Sequence, residues 1–340
     1  MKPIEFLGLT GSPYSMKMLA YLRYRQIPHQ MLQGSFEGPE GYPQAKIPML
    51  PTFYLPDESG EIQAVIDSTP LIKRFEKTYD NNKAIPDDGV LRFLVDLVED
   101  YADEWLAKIM FHYRWAIAEN VEHITPKLIY WAAPNLPAQQ AEQMGNFFAQ
   151  RQISRLKYVG SNEITGETIE QSYIRLIDIL DKLIQQQAYL FGSRPSSADF
   201  ALYGQLFQIA KIDLTSSNTC QQKSPRLSCW IDLIANNSLN AELDKTWLNT
   251  KTLAERLRPL LCEIGCTYAP LAVANLAAIT QGNKQVSLTI NDTPWQQDAF
   301  PYQAKCLQTL RQSFNELSPS EQNHVMEILT DTGCEVFAKV

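Results

Sequence analysis

The spacing of apolar positions changes several times in the first 80 residues. Ile4, Phe6 and Leu7 fall in a short run that predicts a strand over 4–9. Met18, Leu19 and Leu22 then recur at helical spacing and predict a helix over 15–25. Ile27-Pro28-His29 ends that helix and opens a second strand. Gly34, Gly38, Pro39, Gly41 and Pro43 mark residues 34–45 as a loop. Phe53-Tyr54-Leu55 and Gln63–Ile66 read as an antiparallel pair across the polar turn 56–60. Ser68 then stands where the N-cap of a helix over 70–79 is expected, with Pro70 in its first turn. The order β-α-β followed by β-β-α predicts an α/β unit with a four-stranded mixed sheet flanked by helices.

Beyond a polar linker at 80–89 the period becomes helical. Leu91, Leu94, Val95, Val98, Trp105, Ile109 and His112 repeat every three to four residues, as one long helix would. Prolines 126, 134 and 137 make 126–170 irregular, with helical pieces around 138–153. Helices are expected over 169–187, 199–210, 251–268, 303–317 and 320–329, and a strand over 285–290. The division is therefore an α/β domain at 1–80, an all-helical domain at 90–249 with an enlarged insertion around 120–170, and a C-terminal extension at 250–340 of helices and a short strand.

With 340 residues, two or more domains are expected, and 45% hydrophobic residues can build a sizeable core. The net charge is -8, with no Lys/Arg run and no basic stripe, which argues against a nucleic-acid partner. No apolar run reaches the ~18–20 residues of a membrane span. The stretch 269–279 is short and holds Pro270 and Asn275. No secretory leader pattern opens the chain, so a cytoplasmic protein without a membrane partner is expected. All 6 cysteines lie at or beyond position 220 and are expected to be reduced. Cys262 and Cys266 share a helix face, but a metal site would need two more ligands with only His324 near in sequence. They read as small buried apolar residues, and no metal is expected.

The richest local signal is Ser12-Pro13-Tyr14-Ser15, set between the first strand and the first helix. A helix N-terminus offers free N–H groups and partial positive charge. The string resembles the Cys-Pro-Tyr-Cys of thioredoxin-superfamily proteins with both sulfurs replaced by hydroxyls. Lys46-Ile47-Pro48-Met49-Leu50 resembles the cis-proline loop of thioredoxin-like domains. Val65–Ile72 is similar to the strand-turn-helix of glutathione transferases, and Tyr189–Asp199 to their buried helix-capping segment. Together these resemble a serine-type glutathione transferase, well over 4–80, loosely over 90–235 and little over 250–340.

That resemblance implies a thioredoxin-like N-terminal domain that binds glutathione as co-substrate, followed by a helical domain that holds a small apolar or aromatic electrophile. Ser12 would be catalytic, its hydroxyl hydrogen-bonding the glutathione sulfur and favouring the thiolate. The other reading is that Ser12 only caps the helix. The N–H groups of Tyr14 and Ser15 would assist as donors. Asp67 and Ser68 would hold the γ-glutamyl ammonium and carboxylate; their alternative is an ordinary cap with an acidic neighbour. Ile47, before a cis Pro48, would meet the cysteinyl backbone. Lys46 would reach the glycyl carboxylate or else be a solvated loop charge.

Tyr101, Trp105 and His112 share a helix face and would line the electrophile pocket, or be core packing. Ser196 and Asp199 form a capping box assigned to folding. A homodimer is a further implication of the resemblance. The alternative function is a non-catalytic glutathione- or ligand-binding scaffold.

Overall fold

The computed structural model describes residues 2–34, 38–236 and 245–339. Residues 35–37 of the expected loop lie outside that set. The N-terminal part runs β1 (Ile4–Gly8), α1 (Pro13–Tyr24), β2 (His29–Gln33), β3 (Thr52–Pro56), β4 (Ile62–Val65) and α2 (Ser68–Thr78). The sheet order is β2-β1-β3-β4, with β1 parallel to β2 and antiparallel to β3, and β3 antiparallel to β4. This is the four-stranded mixed sheet that the pattern predicts.

Alternation along the strands gives the sheet two apolar faces. Phe6 and Phe53 are register partners and stack at 4.7 Å. They belong to the main core with Leu71, Ile72 and Phe75 of α2. Leu7, Leu9 and Tyr54 look the other way. Among the described residues no helix lies between β2 and β3 to cover that second face. Ile124 and Leu128 of α5 (Ala118–Ala132) and Ala149 of α6 (Ala138–Ile153) cover it instead, in a second apolar cluster with Trp115. The insertion expected to be irregular is thus largely helical. α5 runs unbroken through Pro126 because its buried residues hold it against the sheet.

The helical part starts with α3 (Gly89–Tyr101), which continues through a π-helical turn (Ala102–Leu106) into α4 (Ala107–Ala116). After α5 and α6 come α7 (Leu156–Val159), α8 (Gly166–Ile184), α9 (Ser197–Phe207), a second π turn (Gln208–Ile212), α10 (Leu214–Lys223) and α11 (Pro225–Ala235). Ser196 and Asp199 form the expected capping box. The Asp199 carboxylate accepts from the Ser196 N–H at 2.8 Å, the Ser196 hydroxyl at 2.7 Å and the Leu190 N–H at 2.8 Å. Burial pushes this carboxyl up to about 6 against those hydrogen bonds.

The last part holds α12 (Thr250–Thr280), the hairpin β5 (Gln285–Ile290) and β6 (Thr293–Asp298), α13 (Pro301–Asn315), α14 (Pro319–Leu329) and a closing 3-10 turn (Cys334–Ala338). α12 passes through Pro259 and Pro270 and is longer than its apolar pattern predicts. By length and composition alone it is long and apolar enough to cross a membrane, which corrects the expectation from run length. It packs on α8, α13 and β5, with Leu257, Leu260, Leu261 and Ile264 fully buried. The hairpin turn places Asn291 and Asp292 at φ 49° and 60°, the left-handed pair that a tight two-residue turn requires.

Candidate functional site at the α1 and α2 N-termini

Ser12 is the N-cap of α1, and its hydroxyl oxygen accepts from the Ser15 N–H at 3.3 Å. It is half-buried, and among the described residues no acceptor takes its own hydrogen. Ser15 is fully buried, with its oxygen accepting from the Leu9 N–H at 3.2 Å. The Tyr14 hydroxyl donates to the Asp103 carbonyl at 2.7 Å, and burial drives its phenol well above the usual range. Tyr14 has spent its hydrogen and Ser15 is fully buried, so of the three hydroxyls that of Ser12 is the one both accessible and without an acceptor among the described residues.

The turn before Ser12 is clamped from the helical side. Arg114 donates to the Gly11 carbonyl at 2.9 Å while its Nε holds Asp213 at 2.8 Å. Gln208 donates to the Thr10 carbonyl at 2.8 Å. Leu128 and Trp131 of α5 lie against Gly11 so closely that a Cβ there would stand 2.2 Å from Leu128. An apolar wall thus reaches the Ser12 turn from an insertion with no local signature of that role.

Among the described residues the cis peptide bond is Leu50–Pro51, three residues after the expected Ile47–Pro48 bond. Ile47 is 58% exposed, and Lys46 and Pro48 are also exposed. The buried residue of this loop is Leu50, which joins Leu7, Leu9 and Tyr54. The loop packs through an apolar side chain at 50, and its prediction from the Ile-Pro string was out of register.

Asp67 is the N-cap of α2 and adopts φ 80°, ψ 111°, with no side-chain capping bond. Such a conformation is strained in a non-glycine residue and concentrates at functional sites. Ser68 is the first helical residue and not the cap, and it is buried. The Asp67 carboxylate accepts instead from the hydroxyl of Tyr302, on α13, at 3.0 Å.

Residues 6–83 match the family model described as the glutathione S-transferase N-terminal domain. This part of the chain is similar to the glutathione S-transferase N-terminal domain. A second model, described as nuclear-export cofactor Arc1p, matches residues 167–238. Similar solved structures include the Tau class glutathione S-transferase MiGSTU from mango, Mangifera indica, at 15% identity over 74% of this chain and 96% of that one, TM-score 0.40. Another is a glutathione S-transferase from Methylobacterium radiotolerans in complex with glutathione sulfonate, at 13% identity over 73% of this chain and 100% of that one, TM-score 0.41. No curated protein matches the chain.

α1 and α2 of the matched part are tied to α3 by a charged network. The Lys17 ammonium donates to Glu99 at 2.8 Å and Asp103 at 2.5 Å, and Thr69 donates to Glu99 at 3.0 Å. Lys17 is 1% exposed; Asp103 and Glu99 hold it charged against the cost of burial, raising it above its usual range.

Tyr101, Trp105 and His112 lie in the helical core, with Tyr101 and Trp105 fully buried. Trp105 donates to the Ser172 hydroxyl at 2.8 Å and packs on Trp295 at 5.4 Å. Tyr101 packs on Tyr268. His112 bonds Ser161 at 2.7 Å and Glu170 at 3.2 Å. Leu128, Trp131 and Tyr302, which approach the α1 turn and Asp67, carry no motif. Trp131 was visible as an aromatic residue in the enlarged insertion, but nothing local points it at residue 11.

Proposed function

We propose that the N-terminal domain binds glutathione with its sulfur at Ser12 and its γ-glutamyl group at Asp67 and Ser68. The bound thiolate then attacks an apolar electrophile resting on the Leu128–Trp131 side of the pocket. The observation that carries this reading is the uncommitted hydrogen of half-buried Ser12 at a helix N-terminus, beside a Tyr14 hydroxyl already donating and a Ser15 hydroxyl that is fully buried. A hydrogen bond to the sulfur favours the thiolate over the thiol, as do the α1 N–H groups. In the reaction the thiol proton goes to solvent, a carbon–sulfur bond forms, and the leaving group departs with its electron pair. This is serine-type glutathione transferase activity.

Calorimetric titration of glutathione into wild type and Asp67→Ala, joined to turnover of a chloronitrobenzene by wild type and Ser12→Ala, tests the reading. Wild type should bind in the micromolar to millimolar range, and Asp67→Ala about tenfold more weakly. Ser12→Ala should bind glutathione nearly as well and turn over at least about 10-fold more slowly. No heat at millimolar glutathione would refute the site, and unchanged turnover would remove Ser12 from the chemistry.

A second reading is a glutathione- or ligand-binding scaffold without catalysis. It is favoured by the match over 167–238 and by Tyr302 already seated on Asp67. Measurable glutathione binding with a blank electrophile screen would support it. A homodimer joining the small domain of one copy to the helical domain of the other is also proposed, and sedimentation tests it.

A further inference from the structure

The second π turn (Gln208–Ile212) closes with a bond between positions five apart, the Asp213 N–H donating to the Gln208 carbonyl at 2.9 Å. In an α-helix, positions five apart stand about 140° away from each other around the axis. The residue inserted by the π turn brings Gln208 and Asp213 round together, and both side chains grip one guanidinium. Arg114 donates through Nε to the two Asp213 oxygens, at 2.8 and 3.2 Å, and through Nη2 to Gln208 Oε1 at 2.8 Å. Its remaining arm, Nη1, reaches the Gly11 carbonyl, and the Gln208 amide reaches the Thr10 carbonyl. Arg114, Gln208 and Asp213 are all buried.

These bonds end on the peptide groups that aim Ser12. The peptide joining Gly11 to Ser12 is held at both ends: Arg114 takes its carbonyl, and its N–H donates to the Leu9 carbonyl at 2.9 Å. On the other side the Ser12 carbonyl accepts from the Met16 N–H at 3.1 Å. Ser12 is thereby fixed at φ −101°, ψ 119°, the extended conformation of an N-cap. α1 supplies the bond that follows Ser12, and the π turn supplies the hold on what precedes it. A buried ion pair brings little net stability over apolar side chains of the same size. What Arg114 and Asp213 bring that apolar residues cannot is a donor held along one line.

We propose that Arg114, Gln208 and Asp213 are positioning residues for the Ser12 hydroxyl, and that the π turn sets the fork that directs Ser12 at a bound glutathione sulfur. They act through Ser12 and not on the sulfur itself. This inference rests on the reading of Ser12 as the donor to that sulfur. A hydrogen bond weakens steeply as its line is lost. Loosening the fork lets the Gly11–Ser12 peptide turn, carries the hydroxyl off line and returns the bound thiol toward its ordinary pKa.

Two full-length variants test it. Gln208→Leu keeps the volume and removes the bonds to Thr10 and Arg114 together. Arg114→Met combined with Asp213→Leu removes the fork and leaves no buried charge alone. The pKa of bound glutathione is read from the ultraviolet absorbance of its thiolate over a pH series at saturating glutathione, with and without Ser12→Ala in each protein. Either variant should raise that pKa by about 0.5–1 pH unit, as partial loss of a hydrogen bond to the charged form does. At pH 6.5, kcat with a chloronitrobenzene should fall about 3–10-fold while KM for glutathione stays within about twofold. In the Ser12→Ala background neither variant should move the thiol pKa further, because the hydroxyl they aim is gone. A thiol pKa unmoved by both variants, or moved equally with and without Ser12, would overturn the proposal and leave the network a role in folding alone. A wild type that binds no glutathione would overturn this proposal and the reading beneath it together. A wild type that lowers the thiol pKa through Ser12 and the fork, yet turns nothing over, would support positioning and remove catalysis.

Discussion

Glu104 stands in the π turn with its carboxyl buried between α13 and α4. Burial pushes it from an ordinary 4.5 up to about 7, against a Gln303 hydrogen bond and the Lys108 ammonium that pull it down. Because the folded-state value lies above the unfolded one, the folded protein holds the extra proton between those values. Stability is therefore full below pH 4.5 and falls as pH rises toward 7 and beyond. The gap, at about 1.4 kcal/mol for each pH unit, amounts to about 3 kcal/mol, most of which is lost between pH 5 and pH 8. Glu104→Gln keeps shape and cannot ionise, so its unfolding free energy should not fall with this component. Urea titrations at pH 5, 6, 7 and 8, followed by tryptophan fluorescence, compare the two proteins. The variant should gain about 2–3 kcal/mol on wild type across that range. Parallel stability–pH curves would refute the raised carboxyl and the enclosure from which it follows.

Asp199→Ala removes the acceptor of three hydrogen bonds at the α9 cap and should cost about 2–4 kcal/mol in urea unfolding. Glutathione titration of the folded variant should match wild type. Tyr302→Phe frees the Asp67 carboxylate and should tighten glutathione binding about two- to fivefold by calorimetry. Looser binding would mean that Tyr302 helps to form the site. Gly11→Ala drives a methyl group into Leu128, which must move with α5. Unfolding should be easier by about 1–3 kcal/mol, with a shifted tryptophan emission from Trp131.

The elements read correctly from the chain are those whose signals are local. The sheet strands alternate, α1 carries its cap and Pro13, and Ser196 and Asp199 stand three apart as a capping box must. Elements held by distant packing were not readable in the same way. Pro126 and Pro270 look like breaks, yet the helices around them are pinned by buried faces. β6 carries Pro294 and two glutamines, and owes its pairing to β5 and to Trp295 buried on Trp105.

The site divides likewise. The N-cap at Ser12 follows from a short string, whereas the cis bond three residues from Ile47 depends on how Leu50 enters the second cluster. The acidic repeat from Asp96 to Glu104 was present in the letters all along. It was masked by the apolar repeat of Leu91, Leu94, Val95 and Val98 on the same helix. A charged stripe ordinarily means solvent, and only the approach of α13 turns it inward.

The hydrogen bond between Tyr302 and Asp67 joins positions 235 residues apart. At ribosomal speeds of about 5–20 residues per second, roughly 10–50 s separate the synthesis of its two ends. During that interval the nascent sheet and α2 can pair, but the acidic face of α3 has no cover. Access to that face is therefore a matter of timing as well as architecture: it stays open on the growing chain, and α13 closes over it only after α1 to α12 have emerged.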